Sequence, residues 1–211
     1  MHGCCTTVDF GGRGFYSSQQ SKRARQVDVN PTVSIGMPVY NGENYLRGAL
    51  DSLLSQSFSD FELIISDNAS TDNSGDICLE YAGQDNRIRY IRQPENTGAA
   101  ANFKFVLDAA AGEYFMWAAC DDVRSPDFIE LNVEFLEQNA DYVASTTPTG
   151  FEGGELDRQN MVDFRLDGDL FERFTEFFKY CWVSHGIFYC LARTSALRGC
   201  PVIGQSFIAA D

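Results

Sequence analysis

From Thr32 onward, short apolar runs alternate with longer segments in which apolar side chains recur every three or four residues. T-V-S-I-G-M (32–37) predicts a buried strand, and Leu46, Ala49, Leu50, Leu53 and Leu54 give Glu43–Gln56 one apolar helical face. F-E-L-I-I-S-D (61–67) predicts a second buried strand. Ser70 or Thr71 then caps a helix running to about Gly83. R-I-R-Y-I-R (87–92) alternates strictly, as a strand with one wet face does. Gly98 to Ala111 predicts an alanine-rich helix, and E-Y-F-M-W-A (113–118) a fourth strand. Ser125-Pro126 supplies an N-cap and a first-turn proline for a helix to about Asn139. D-Y-V-A-S-T (141–146) predicts a fifth strand.

Strand and helix alternating with short links predict an α/β fold, a mostly parallel central sheet flanked by helices. In such sheets ligands sit beyond the carboxyl ends of the strands. P-V-Y-N, D-N-A-S and C-D-D follow the first, second and fourth strands and should meet along one sheet edge. From about Gly150 the pattern breaks. F-E-G-G-E-L-D-R-Q-N is loop-like, D-L-F-E-R-F-T-E-F-F-K-Y (169–180) predicts an amphipathic helix, G-I-F-Y-C-L-A (186–192) a strand, and T-S-A-L-R a short helix. Residues 1–30, with G-G-R-G and S-S-Q-Q-S-K-R-A-R, have no sustained period and read as a disordered tail. The expected domain covers 31–211, with a regular half over 31–146 and a less regular region over 147–211. It ends on Q-S-F-I-A-A-D without a closing signal and reads as truncated there.

Composition narrows the partners. The 211 residues carry a formal net charge of −14. Arg13, Lys22, Arg23 and Arg25 against Asp9 and Asp28 give residues 1–30 a charge of +2, so the remaining 181 sum to −16. Nucleic acid is not an expected partner of so acidic a surface. A small phosphorylated ligand would need a cation. No apolar run approaches the roughly 18 residues of a membrane span, and the N-terminus lacks the apolar core of a secretory signal. A cytoplasmic protein is expected, with a peripheral membrane position left open. The seven cysteines include no C-x-x-C and read as reduced thiols. With two histidines, His2 and His185, any metal would be a hard cation on oxygen ligands.

Asp121-Asp122 carries the sharpest chemical signal. Adjacent carboxylates oppose joint ionisation. Either the pair is solvated beside the following helix, or a divalent cation sits between it and a diphosphate. Asp67 is a turn-forming cap or a carboxylate for a base or ribose. Pro38 and Tyr40 either shape the strand exit or wall a planar base. Asn96, with Gly98 and Asn102, surrounds a helix start, where backbone N–H groups can also receive an anion. His185 taken alone reads as a packing histidine.

V-S-I-G-M-P-V-Y-N-G-E-N-Y-L, E-L-I-I-S-D-N-A-S-T-D, N-T-G-A-A-A-N and M-W-A-A-C-D-D-V-R-S-P-D-F, in register over about 32–146, resemble family 2 glycosyltransferases of the GT-A fold. The resemblance implies a UDP-, GDP- or dTDP-sugar donor, Mg2+ or Mn2+, and inverting transfer to a glycan, lipid-linked or small-molecule acceptor in polysaccharide or cell-envelope synthesis. It places Pro38, Tyr40, Glu43, Asp67 and Asn96 around the nucleotide, Asp121 on its sugar or ribose, and the metal on Asp122. Ala119 stands where the fuller D-x-D-D motif has an acid. H-G-I-F-Y-C-L-A-R-T-S-A-L-R resembles the acceptor side, with Trp182 and His185, and I-A-A-D places Asp211 as catalytic base. A nucleotidyltransferase would instead show a glycine-rich, basic loop after the first strand. A chain that binds the donor without transferring it is the other alternative.

Overall fold

The computed structural model describes residues 30–147, 166, 168, 169, 172, 173, 175 and 188–199. Its strands are β1 (Val33–Val39), β2 (Phe61–Asp67), β3 (Ile88–Arg92), β4 (Tyr114–Trp117), β5 (Ala144–Ser145) and β6 (Leu191–Arg193). Its helices are α1 (Leu46–Leu54), α2 (Ser74–Ala82), α3 (Ala99–Asp108), α4 (Phe128–Gln138) and α5 (Thr194–Arg198). The sheet order is β3-β2-β1-β4-β6-β5. β1 pairs in parallel with β2 and β4, and β2 with β3. β6 runs antiparallel to both β4 and β5, so it alone opposes the common direction.

The central strands are continuous apolar runs because both faces of the sheet are covered. On one side Ile35, Met37, Leu63, Ile65 and Met116 pack against Leu50 and Leu53 of α1, Ile77 of α2 and Val133 of α4. On the other, Ile64, Phe115 and Trp117 pack against Val106 and Leu107 of α3. Gly36 makes that second layer possible. A Cβ there would lie 2.7 Å from both the Phe115 ring and a Val106 methyl, so any side chain would overpack the layer. β3 is an edge strand but does not alternate strictly: Ile88 is buried, Tyr90 and Ile91 are both half-buried, and Arg89 and Arg92 are exposed.

Several element boundaries differ from the sequence expectation, among them α1, which starts at Leu46, and β5, which is limited to Ala144–Ser145. β1 continues through Pro38 to Val39. Pairing with β4 stops at Gly36, so no β4 residue faces Pro38 and its missing N–H costs no bond there. Neither Ser70 nor Thr71 caps α2, whose N-cap position is Asn73. The Ser70 hydroxyl instead accepts the Asn41 N–H, and the Thr71 N–H donates to the Asn41 side chain. Ser125-Pro126 does not open α4, which starts at Phe128 behind Asp127. Their carbonyls serve a turn: Ser125 O accepts the Phe128 N–H and the Gln56 side-chain amide, and Pro126 O accepts the Ser57 N–H. In the C-terminal part, 188–189 form a turn and the strand is confined to Leu191–Arg193. Of the helix expected over 169–180, Glu172, Arg173 and Thr175 are described and helical. The Glu172 N–H donates to Asp169 Oδ1 and the Asp169 N–H to Glu172 Oε2, a reciprocal cap.

Candidate functional site

β1, β2 and β4 are parallel, so the loops that follow them emerge at the same edge of the sheet. The first two are tied together. Asn41 takes a positive φ of 52° and turns the chain behind the half-exposed Tyr40. Its N–H donates to Ser70 Oγ at 3.0 Å, the Gly42 N–H to Ser74 Oγ at 2.9 Å, and the Glu43 N–H to Asp72 Oδ2 at 3.1 Å. In return Glu43 Oε2 accepts the Asn73 N–H at 2.9 Å and its side-chain amide at 2.7 Å. Glu43 therefore holds the start of α2, satisfying a helix-end N–H across the chain. Desolvation pushes the Asp72 carboxyl up, but bonds from the Ser74 side chain and backbone outweigh it and hold the carboxyl below its ordinary range.

Asp67 is fully buried, and both of its oxygens are engaged. Oδ1 accepts the Ser70 N–H at 2.7 Å; Oδ2 accepts the Tyr90 hydroxyl at 2.9 Å and Arg92 Nη1 at 2.6 Å. Arg92 Nη2 also donates to Ser70 O at 2.7 Å, while its side chain remains 50% exposed. Burial, then the bond to Asp67, pushes the Tyr90 phenol up to about 12, so it stays a donor at neutral pH. Gly75 gives this network its room, since a Cβ there would lie 2.8 Å from Arg92 Nη1. Ser70, Thr71, Gly75, Asp76, Tyr90 and Arg92 line an open groove of ≈ 630 Å³.

Tyr90 and Arg92 were missed in the sequence reading. Their signal lay in their spacing of two within a strand, which puts Tyr90 and Arg92 on one face of β3, and the register Asp67↔Arg92 turns that face toward the carboxylate. Asn68 was missed as well, because its partners lie in the loop before α3, about thirty residues on. It is buried, donates to Asn96 Oδ1 at 2.8 Å and accepts the Thr97 N–H at 3.0 Å. Asn96 Oδ1 also accepts the Gly98 N–H at 2.9 Å, where Gly98 has a φ of 85°. Asn96 thus binds the loop before α3 to the end of β2.

After β4, Asp121 is exposed and the Asp122 side chain is 42% exposed. Arg124 Nη2 donates to Asp122 Oδ2 at 3.4 Å. Among the described residues no three metal-ligating side chains cluster. Two accessible carboxylates still suit Mg2+ or Mn2+, because such an ion takes one or two protein oxygens and completes its shell with phosphate and water. Cys78, Cys120 and Cys190 are free thiols. Burial, then Asp67, pushes Cys78 up to about 12; burial, then Asp121, raises Cys120, so neither is a thiolate nucleophile at neutral pH. Asp211, Trp182 and His185 lie outside the described residues.

A mostly parallel sheet with cross-tied polar loops at its carboxyl edge and accessible carboxylates after β4 defines an α/β domain of the GT-A fold. The model of glycosyl transferase family 2 matches residues 34–198, and the chain belongs to that family. It is 39% identical over 114 residues to the glycosyltransferase GlyA of Streptococcus pneumoniae, a match covering 54% of this chain and 16% of that protein. With GlyG of the same organism it shares 37% over 116 residues, 54% of this chain and 38% of that one. Among solved structures, Staphylococcus aureus TarS in complex with UDP-GlcNAc superposes at a TM-score of 0.62 with 19% identity, over 79% of this chain and 46% of that one. A mannosyltransferase of Pyrobaculum calidifontis in complex with GDP-Man and Mn2+ superposes at 0.50 with 22% identity, over 56% and 35%. The chain therefore spans less than half the length of these relatives. None of its described helices is long and apolar enough to cross a membrane.

Proposed function

We propose that this chain binds a nucleoside-diphosphate sugar and transfers the sugar, with inversion, to an acceptor hydroxyl. The observation that carries the reading is the meeting of the loops after β1, β2 and β4 at one edge, with Asp121 and Asp122 facing solvent there. Complexes of the structural relatives with UDP-GlcNAc and with GDP-Man and Mn2+ support it. Residues 31–146 hold the donor and 147–211 belong to the acceptor side. Pro38 sets the exit angle that presents the Tyr40 ring to the base. Asp67 fixes Arg92, whose outward N–H groups meet base or ribose oxygens, while Glu43 and Asn96 brace the loops beneath them. Asp121 contacts the sugar or ribose.

Asp122 would hold Mg2+ or Mn2+, which when bound would supply positive charge to neutralise the leaving diphosphate. Asp211 takes the acceptor proton, with Trp182 and His185 positioning that acceptor. The acceptor oxygen then attacks the anomeric carbon opposite the diphosphate. The carbon–oxygen bond to the diphosphate breaks, and its electron pair leaves with the nucleotide. The acceptor is a glycan, lipid-linked or small-molecule hydroxyl in polysaccharide or cell-envelope synthesis, met at the cytoplasmic face of the membrane.

Calorimetric titration of UDP, GDP and dTDP, with and without Mn2+, tests this on the wild type and on Asp122→Ala. One nucleotide should bind in a metal-dependent way, and the variant should lose that dependence while staying folded. Equal, metal-independent affinity in both proteins would remove Asp122 from the metal site. Sugar release or product formation from the matching donor separates transfer from binding alone.

A further inference from the structure

We propose that Arg124 is a built-in cation for the donor's diphosphate, beside Asp122 and independent of the metal; this rests on the donor reading above. The inference begins with what the guanidinium lacks. Its side chain is 13% exposed, and its Nε is buried without a hydrogen-bond partner. Its ionic contact, to Asp122, is 3.4 Å, long beside the roughly 2.7–2.9 Å of a good charge-assisted bond. Around it lie aromatic faces: the Phe128 and Tyr189 ring centroids are 5.3 Å and 5.7 Å from its central carbon. Its backbone is anchored, because the Arg124 N–H donates to Ser52 Oγ at 3.2 Å. The main chain is held, and the head group is under-satisfied.

A guanidinium withdrawn from water requires hydrogen-bonded counter-charge, and one stretched contact does not supply it. An anion arriving beside Asp122 does. Phosphate oxygens accept from the guanidinium fork in pairs, and an aromatic bed fixes the plane of that fork in advance. Ala119 fits the same division of labour. With no acid at that position, the acidic cluster after β4 is weaker, and a fixed arginine adds positive charge that no chelator removes. Arg124 forms no covalent bond. It stabilises the negative charge that accumulates as the bond to the diphosphate breaks. The rival role is a plug, in which Arg124 occupies Asp122 and must leave before a metal binds.

The experiment titrates UDP and GDP, and the matching monophosphates, into wild type, Arg124→Gln and Arg124→Lys, in EDTA and in Mn2+, with a thermal melt of each. In EDTA the wild type should bind one diphosphate more tightly than its monophosphate. Arg124→Gln should lose about tenfold or more of that affinity, together with the preference for diphosphate. Arg124→Lys, a point charge without the fork, should retain part of it. Undiminished diphosphate affinity in folded Arg124→Gln would overturn the proposal. If Mn2+ affinity also rose, the plug would replace it. Should Arg124→Gln melt early, Arg124→Lys decides, and full wild-type affinity in it would count against a role for the fork. A wild type that binds no diphosphate with or without Mn2+ would remove the donor reading, and this inference with it.

Discussion

Asp67 touches Ser70, Tyr90 and Arg92 and is shielded from solvent, whereas Arg92 is half-exposed. On the proposed reading, the carboxylate would act on a ligand through the arginine. Arg92→Ala should weaken binding of the preferred nucleoside diphosphate by about tenfold, the loss of one charge-assisted contact. Asp67→Asn should weaken it too, but the double variant should be no worse than Arg92→Ala alone. Additive losses in a calorimetric cycle would mean that Asp67 reaches the ligand by itself. Gly75 tests the same network from the helix side. Gly75→Ala places a Cβ 2.8 Å from Arg92 Nη1 and 3.2 Å from the Tyr90 hydroxyl. Nucleotide affinity should fall, while the melting temperature changes little because alanine favours the helix by up to about 1 kcal/mol. An unchanged affinity would show that Arg92 can yield without cost. At this scale the sequence exposed the residue types but not their partners. Arg92 read as one more solvated arginine because nothing along the chain specifies the pairing of β3 with β2.

Among the elements, Gln56 joins two helices that a linear reading keeps apart. It is buried just beyond α1, its amide donates to Ser52 O and Ser125 O, and its Oε1 accepts the Ile129 N–H at 3.0 Å. It thereby satisfies a first-turn N–H of α4 from outside that helix. Gln56→Ala leaves that buried N–H unpaired, at a cost of about 1–3 kcal/mol. Differential scanning calorimetry should show a melting temperature lower by roughly 2–10 °C; an unaltered value would mean that water replaces the amide. The central strands were legible as short apolar runs, because both sheet faces are covered, and the helix faces because one-sided burial imposes a period of 3.6. Caps were less so. Ser70, Ser125 and Pro126 have cap-like chemistry, but the first bonds the β1 loop and the other two offer carbonyls to a turn. A side chain able to bond its own helix can equally bond a neighbouring loop, and only packing decides which.

Over the whole molecule, the charge of −14 disfavours polyanions that lack a dedicated cation. A labelled single-stranded DNA or RNA should show no anisotropy change at micromolar protein in low salt, the condition that most favours such binding. Saturable binding there would contradict the nucleotide-sugar assignment of the acidic edge. The same charge is the reason a fixed arginine and a divalent cation are both proposed for the carboxylates after β4. The sequence by itself determined the alternation of strands and helices, the mostly parallel sheet, the edge on which the polar loops gather, and the family resemblance. Each of these follows from periodicity and local chemistry, which the linear order carries. The tertiary structure alone decided that Asp67 faces Arg92, that Glu43 and Asn96 brace loops, and that Arg124 sits over aromatic rings with an unpaired N–H. Those contacts join residues brought together by strand register and helix docking, and neither is encoded in the spacing of any one segment.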